Sequence, residues 1–510
     1  MNRREFLRCT LVGAGAALAV DLLEGAPNRR WRPNVLFFLV DDMGWMDSSV
    51  YGSKYYLSPQ MARLAGDGMR FTNAYSPSPL CSPTRASIMT GLYPQRLRLT
   101  QPACHLPELG REPAVSARGP RWCRTTAVDS RRKLPLAEFT IAEALKAAGY
   151  KTEFFGKWHL GKEARYWPGH QGFDINIGGT GAPGPRSYFS PYKNPKLSDG
   201  PEGQYITDRL TDEAVKYLNK HDAGGKPFFM CMWHFAVHAP FQGRKDIIKR
   251  FAGKRDPRGM QDSPTMAAML YSMDESLGRI MDTLKARGLA DSTIIIFFSD
   301  NGGNMYNVID DTTPTNNFPL RGGKGTVWEG GVRVPMIVKW PGRVARGVIC
   351  DIPVSGEDFY PTILNMAGGI KPKRGKKLDG VDLVGLLTGK VRRLDREALF
   401  CHFPHENRVR ANHGAASTVR KGHWKLHRYY CRGEGYTDRL ELYNLKDDIG
   451  EGNNLAAKYP DKVAELKKLL DVHLKDTGAL IPKKNPGHDP KTPKPITGLP
   501  PAKAKGKKLD

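Results

Sequence analysis

The sequence lacks any apolar run long enough to cross a membrane as a helix. It also lacks zinc-finger spacing, an RNP motif, a heptad-linked basic region and any internal repeat. These absences argue against a membrane-spanning protein, a repeat protein and a nucleic-acid-binding protein.

Acidic residues are scarce relative to basic ones. The 510 residues include 52 Asp and Glu against 78 Lys and Arg, which gives a formal net charge of +26. Such an excess favours an anionic partner, either an acidic lipid or a sulfated or carboxylated polymer once nucleic acid is set aside. Part of this positive charge lies in the Lys-rich C-terminus, where exposure to solvent explains it without any anionic partner.

Cysteine is also scarce, with eight in the chain. If the protein is exported, disulfides are permitted, and Cys104 with Cys123 and Cys401 with Cys431 are two possible pairs. Buried free thiols are an equally compatible interpretation.

The N-terminus, residues 1–30, predicts an export signal. Arg3 and Arg4 are followed by Phe6, Leu7 and a short apolar stretch over 11–20, which resembles a twin-arginine signal, with an ordinary Sec signal as the alternative. We therefore expect a periplasmic or extracellular protein that uses export machinery and has no stable membrane span.

Four apolar segments predict buried strands of a parallel sheet, at residues 34–40, 150–155, 227–233 and 293–299. Polar residues follow each segment, and ligands bind at the carboxyl ends of strands in such sheets. The residues are Asp41, Asp42, Lys157, His159, His238, Asp300 and Asn301. Carboxylate and amide oxygens suit calcium or magnesium rather than zinc.

The chain divides into four predicted parts. After the signal, residues 31–389 form a catalytic domain of α/β class, and residues 390–480 form a small antiparallel sheet with one helix. Residues 481–510 are rich in Lys, Pro and Gly and predict a disordered basic tail.

A helix is predicted to begin near Cys81, with Ser82 as its N-cap and Pro83 in its first turn. Arg85 lies one turn from Cys81 and can point at the same ligand. Farther along, the glycines around Lys324 let the backbone approach an anion closely.

The segment Cys81-x-Pro83-x-Arg85, followed by Ala-x-x-x-Thr-Gly, resembles the signature of type I sulfatases. The ordered set that also includes Asp41-Asp42, Lys157-x-His159, His238, Asp300-Asn301 and Lys324 resembles the same family from about residue 34 to residue 475. The resemblance implies the alkaline phosphatase-like fold, which is a large mixed sheet sandwiched by helices with a small C-terminal antiparallel sheet.

The resemblance also implies roles for these residues. A maturation enzyme would oxidise Cys81 to formylglycine, whose hydrated aldehyde is the nucleophile toward a sulfate ester. Lys157 and Lys324 would contact sulfate oxygens, Arg85 would orient the diol, His238 would protonate the leaving alcohol, and His159 would assist release of sulfate. One calcium ion would be held by Asp41, Asp42, Asp300, Asn301 and the modified Cys81.

A sulfated small molecule or glycan is thus the expected substrate. The alternatives are a phosphodiesterase or phosphonate hydrolase on the same fold and a non-catalytic polyanion-binding protein. His402 and His405 flank Pro404 at the start of the C-terminal part, and we interpret them as substrate-binding residues on the rim of the cleft, with two unliganded surface histidines as the alternative.

Overall fold

A nine-stranded mixed sheet forms the centre of the protein, which we describe from a computed structural model over residues 32–104, 106–406 and 414–494. Its strands are β1 (Asn34–Val40), β2 (Met69–Tyr75), β3 (Lys151–Gly156), β4 (Ile175–Ile177), β5 (Phe228–Trp233), β6 (Thr293–Ser299), β7 (Arg333–Lys339), β8 (Val348–Cys350) and β9 (Val354–Ser355).

The strands follow the order β4-β3-β5-β1-β6-β7-β2-β8, and β9 also pairs with β2. Neighbours from β4 to β6 are parallel, whereas β7 is antiparallel to both β6 and β2. All seven residues of β1 are buried, as its apolar sequence predicts. The carboxyl ends of β3, β5, β1 and β6 therefore meet at one edge of the sheet.

Helices cover both faces of this sheet. The helices of this part of the chain are α1 (Pro59–Gly66), α2 (Cys81–Thr90), α3 (Ile141–Ala147), α4 (Ile206–Lys220), α5 (Lys245–Phe251), α6 (Pro264–Ala286), α7 (Glu329–Val332), α8 (Phe359–Met366) and α9 (Val384–Leu387), and α10 (Pro460–Asp476) follows later in the chain. Residues 35, 37 and 39 of β1 pack in one apolar layer with α2, α3 and α8, and residues 36, 38 and 40 pack in the other with α1, α4 and α6. The predicted helix-sheet-helix sandwich is confirmed.

A second, four-stranded antiparallel sheet follows, with strands β10 (Leu399–Phe403), β11 (Ala416–Lys421), β12 (Trp424–Tyr429) and β13 (Arg439–Asn444) in sequential order. Leu466, Leu470 and Leu474 of α10 pack against its apolar face. This arrangement agrees with the predicted small antiparallel sheet and single helix.

The prediction of a disordered tail is wrong for residues 481–494, which lie against the irregular segment that precedes α3. Thr126 N–H donates to Lys483 O at 2.8 Å, and Asn485 N–H donates to Arg124 O at 2.9 Å. The Asn485 side chain donates to Pro120 O and Cys123 O as well. Backbone pairing of this kind needs no hydrophobic periodicity, so composition did not reveal it. Residues 495–510 and the predicted signal at 1–30 lie outside the described residues.

Neither of the two possible disulfides is formed, because Cys104, Cys401 and Cys431 carry free thiols. Within the described ranges, we find no helix with the length and apolar character needed to cross a bilayer.

Candidate active site

The edge where four strands end gathers three carboxylates and two lysines. Asp41 Oδ2 lies 2.5 Å from Lys157 Nζ, and Asp42 Oδ2 lies 2.7 Å from Lys324 Nζ. Asp300 Oδ1 accepts from the Asp42 backbone N–H at 3.1 Å, which ties the ends of β1 and β6 together. The structure thus brings into one cluster residues that are up to 283 positions apart in the sequence.

Arg85 is fully buried and connects the helix to this cluster. Its Nε donates to Asp300 Oδ2 at 2.8 Å, its Nη1 donates to Lys157 O at 2.5 Å, and its Nη2 lies 3.7 Å from Asp41 Oδ1. A guanidinium held by this many acceptors is a fixed charge, so Arg85 positions two of the three carboxylates.

Cys81 is the first residue of α2, and its side chain is 3% exposed. Its Sγ lies 3.4 Å from His159 Nδ1, and Ser82 Oγ lies 3.1 Å from the same nitrogen atom. The predicted N-cap is wrong, because Leu80 caps the helix and Ser82 lies inside its first turn.

Ser82 is the site residue whose role the sequence did not reveal. Its hydroxyl donates to His159 O at 2.9 Å and accepts from Ala103 N–H at the same distance. It therefore holds the His159 ring beside Cys81 and fixes the loop that passes over the helix start. Its place within the Cys-Ser-Pro-Thr-Arg signature was the available signal, but a serine at a helix start is more readily interpreted as a cap.

Close glycine packing brings the Lys324 loop onto the end of β6. A Cβ atom on Gly302 would lie only 1.8 Å from Gly330 O, and Lys324 N–H donates to Gly303 O at 3.0 Å. Side chains larger than hydrogen would hold these segments apart, so the glycines allow Lys324 to reach Asp42.

Two buried oxygen atoms at the centre have no hydrogen-bond partner, and both are of the kind that a hard cation binds. They are Asp41 Oδ1 and Asn301 Oδ1. The Asn301 amide nitrogen donates to Asp42 Oδ1 at 2.9 Å, which directs the amide oxygen away from that carboxylate. One ligand atom each from Asp41, Cys81 and Asp300 lies within 4.8 Å of the others. The donor set fits a calcium-type ion.

Burial and neighbouring charges shift the protonation of these groups in opposite directions. Burial raises the pKa of Asp300 to about 7, and Asp41 adds to this. Burial acts on Asp42 in the same direction, but the nearby Lys324, His238 and Lys157 hold its pKa well below the ordinary range. Burial also raises the pKa of the Cys81 thiol, so the unmodified side chain is a poor nucleophile at neutral pH.

His238 stands at the solvent side of the cluster, with Nε2 at 3.8 Å from Asp42 Oδ2. Its Nδ1 lies 2.7 Å from Ala239 O, and since a carbonyl only accepts, Nδ1 carries a hydrogen. Burial and the two lysines lower the pKa of His238 to about 3. The ring is therefore neutral here and presents Nε2 toward the site.

The interpretation of His402 and His405 as substrate-binding residues on the rim is wrong, because both are buried, at 1% and 6% exposure. His402 Nε2 donates to Leu480 O at 3.2 Å and its Nδ1 lies 2.6 Å from Ser417 Oγ, while His405 Nε2 lies 2.8 Å from Thr100 Oγ1. Burial lowers the pKa of each to about 3. They are neutral packing residues, since the tail and the segment before α3 cover this end of β10.

Comparison with known proteins bears directly on this cluster. A family profile described as Sulfatase matches residues 33–370, and one described as N-sulphoglucosamine sulphohydrolase, C-terminal, matches residues 323–478. The chain belongs to the sulfatase family. As a sulfatase it is an enzyme that hydrolyses sulfuric esters, as the sequence predicted.

Curated relatives match this sulfatase over most of its length. It is 32% identical to a sulfatase of Formosa agariphila over 87% of each chain. It is 31% identical to human N-acetylgalactosamine-6-sulfatase, over 90% of this chain and 83% of the relative, and 31% identical to human arylsulfatase A over 90% of each.

Solved structures agree on the fold. The sulfatase resembles Ps i-CgsB, solved in complex with k-i-k-neocarrahexaose, at a TM-score of 0.70 and 27% identity over 86% of this chain and 92% of that one. The phosphonate monoester hydrolase of Agrobacterium radiobacter shares the fold at a TM-score of 0.60 and 20% identity, over 87% of this chain and 96% of that one.

Proposed function

We propose that this sulfatase removes sulfate from a sulfated carbohydrate, with formylglycine made from Cys81 and one calcium ion held by Asp41, Asp42, Asp300 and Asn301. The observation that carries the proposal is the convergence of Cys81 with two carboxylates and two unpartnered buried oxygens. When present, the ion would polarise sulfate oxygens and the formylglycine hydrate would supply the nucleophilic oxygen.

The remaining side chains have roles that follow from their positions. Lys157 and Lys324 balance Asp41 and Asp42 in this structure, and the same ammonium groups would contact sulfate oxygens once a cation balances those carboxylates. His238 would first take up a proton at Nε2 when the anionic ester is bound, and would then pass that proton to the leaving alcohol. His159 would assist the release of sulfate, and its ring already lies beside Cys81.

A carbohydrate substrate is supported by the charge of the protein and by its relatives. The net charge of +26 favours polyanions, and a structural neighbour binds a neocarrahexaose. The alternative of a phosphodiesterase has no specific support, because Asp300 is followed by Asn301 rather than by a histidine that would suit zinc.

Peptide mass spectrometry and paired assays test the proposal. We expect an aldehyde at position 81 with no alkylation by iodoacetamide, and release of sulfate, but not phosphate, from matched esters. Removal of calcium with a chelator should abolish turnover and addition of calcium should restore it. A fully alkylated Cys81 in an enzyme of undiminished activity would overturn the formylglycine assignment, and C81A serves as the inactive control.

We also propose export by the twin-arginine route, supported by Arg3-Arg4 ahead of a weakly apolar segment. Substitution of both arginines by lysine should leave the precursor in the cytoplasm. Normal export of that double variant would refute the route without affecting the catalytic proposal.

A further inference from the structure

A basic cavity lies outside the candidate active site, between residues 108–113 and residues 131–135 of the irregular segment before α3. Its volume is about 410 Å³, within the range of small-molecule sites. Six charged residues line it: Glu108, Arg111, Glu112, Arg131, Arg132 and Lys133.

Three of the four cations in this cavity already have an acidic partner. Arg111 pairs with Asp129 at 2.8 Å, Arg131 pairs with Glu112 at 2.8 Å, and Lys133 pairs with Glu108 at 3.0 Å. These pairs use both carboxylates that line the cavity, Glu108 and Glu112, together with Asp129, so the fourth cation, Arg132, has no ion-pair partner among the residues that the structure describes.

Arg132 is also the most buried of the four, with only 7% of its surface exposed. Its Nε has no hydrogen-bond partner, and no described residue forms an ion pair with its guanidinium. Burial lowers the pKa of His405 and the positive charge of Arg132 adds to this, so this neighbour is neutral and does not compensate the charge. Burial lowers the pKa of Arg132, and the acids at 108 and 129 offset this only from a distance.

An unpaired buried guanidinium is costly unless something compensates it. Arginine is suited to planar or tetrahedral oxyanions because it offers several N–H groups in a fixed fork. The energetic argument therefore indicates an anionic ligand rather than a packing role.

Two backbone hydrogen bonds connect the segment that lines this cavity with segments next to the candidate active site. Leu134 N–H donates to Leu160 O at 2.9 Å, and Leu160 follows His159 directly. On the other side, Arg131 N–H donates to Arg98 O at 2.7 Å, in the segment whose Ala103 contacts Ser82. Arg132 lies two positions before Leu134, so its Cα lies within roughly 18 Å of that of His159.

We propose that Arg132 is the anchor of an accessory anion site, which binds a sulfate or carboxylate group of the glycan chain other than the sulfate that is cleaved. This proposal rests on the carbohydrate substrate proposed above. The site would select substrates that carry a second anionic group at the matching distance.

The test compares R132M with R131M and R132K. R131M is the matched control, because Arg131 lines the same cavity but is already paired with Glu112. The probe is a chondroitin 6-sulfate hexasaccharide, which carries both sulfates and carboxylates, and its binding is measured by calorimetry so that turnover is not required. 4-Nitrophenyl sulfate, which is too small to span both sites, reports the basal activity.

We expect R132M to weaken binding of the hexasaccharide at least tenfold, R131M to change it less than threefold, and R132K to recover part of the loss. All three should retain the kcat/KM for 4-nitrophenyl sulfate within about twofold. R132M should also have an unchanged or higher Tm without ligand, because a buried uncompensated charge is removed.

Several results would distinguish this site from the proposed function. Unchanged hexasaccharide binding by R132M would overturn the accessory site. Arg132-dependent binding without desulfation would support the site and count against this glycan as substrate. Sodium sulfate could stabilise the wild type but not R132M, while both bind the hexasaccharide equally well. That result would assign the site to a free oxyanion and overturn the proposal that it binds an anionic group of the glycan. The fully desulfated hexasaccharide shows whether a carboxylate alone suffices.

Discussion

Two residues of the catalytic cluster adopt a left-handed backbone conformation that non-glycine residues rarely occupy, Asp42 with φ of 63° and His159 with φ of 59°. At Asp42 this conformation turns the chain after β1, so that adjacent carboxylates bond different lysines. Such strain costs on the order of 1–3 kcal/mol and is retained where the surroundings fix it. Here the hydrogen bond from Asp42 N–H to Asp300 and the contacts of His159 with Ser82 provide that support.

A second buried carboxyl, far from the cluster, gives the enzyme a pH dependence of stability. Glu153 lies in β3 with 1% exposure, accepts a hydrogen bond from the Tyr217 hydroxyl, and has one oxygen without a partner. Burial raises its pKa from 4.5 to about 8. A raised carboxyl pKa means that its stabilising effect is complete below pH 4.5 and is lost as the pH rises through about 8.

We therefore expect E153Q to be more stable than the wild type at pH 9 by on the order of a few kcal/mol, with a much smaller difference at pH 5. Thermal unfolding at both pH values measures this. Y217F keeps the carboxyl but removes the hydrogen bond that lowers its pKa, so the pH dependence should remain and move to higher pH. An equal difference between E153Q and the wild type at the two pH values would show that Glu153 does not titrate in this range.

At the scale of elements, a buried charge network joins the two sheets. Lys425 of β12 lies 2.8 Å from Glu329 of α7 and 3.0 Å from Glu451, and Glu451 also pairs with His427 at 2.7 Å. The lysine is 2% exposed and both glutamates are fully buried. Because α7 follows the Lys324 loop directly, this network fixes the C-terminal sheet against a loop of the catalytic cluster.

K425M should destabilise the protein by about 3–5 kcal/mol, because it removes the buried cation that Glu329 and Glu451 share. K421M is the control: it removes a lysine from the neighbouring strand β11, but its partners Glu397 and Glu465 are solvent-exposed, so we expect little or no loss of stability. Chemical denaturation measures both. Equal losses would mean that burial of the network does not matter.

The central strands could be predicted from the sequence, and β2 could not, for one physical reason. Strands β1, β5 and β6 are buried on both faces and appear as unbroken apolar runs. In β2, Arg70, Thr72 and Asn73 are only partly buried and interrupt the pattern, so no apolar run marks it. The helix α3 was predictable because Thr140 and Glu143 form a capping box, which the structure contains.

The candidate site residues also divide into those that the local sequence indicates and those that it does not. Those at strand ends could be placed from local sequence, because the end of a buried strand is visible in the pattern. Whether His402 and His405 are buried depends on segments that are distant in the sequence. Leu480 contacts His402 and Thr100 contacts His405, and the local sequence around the two histidines does not indicate either contact. Arg132 likewise gives no signal until its neighbours are seen to be paired.

At the scale of the whole molecule, the C-terminal segment completes the irregular region before α3. Lys484 forms a backbone bridge to Thr125, and Lys483, Asn485 and Asp489 hydrogen-bond to residues between 119 and 126. The chain thus returns to a region that lies more than 350 residues earlier in the sequence.

Truncation after residue 481 should therefore expose the 106–128 segment to protease and lower the Tm, whereas truncation after residue 494 leaves every described contact in place and should change neither. Limited trypsin digestion followed by mass spectrometry of the first cleavage sites measures the difference. If both truncated forms are cleaved like the full chain, the tail contacts do not hold the segment.

The burial of Cys81 has a consequence for the proposed conversion to formylglycine, which would require an order of events in the cell. The maturation enzyme would need access to the thiol, yet in the folded chain the thiol lies under the loop that carries Ala103 and close to Asp300, which follows β6. Because β6 begins more than 200 residues after Cys81, a ribosome adding about 5–20 residues per second exposes the cysteine for roughly 10 seconds or more before the sheet can close around it. Chemistry at residue 81 therefore competes with folding in time, and an elongation rate that outruns the maturation enzyme would produce a well-folded but permanently inactive enzyme.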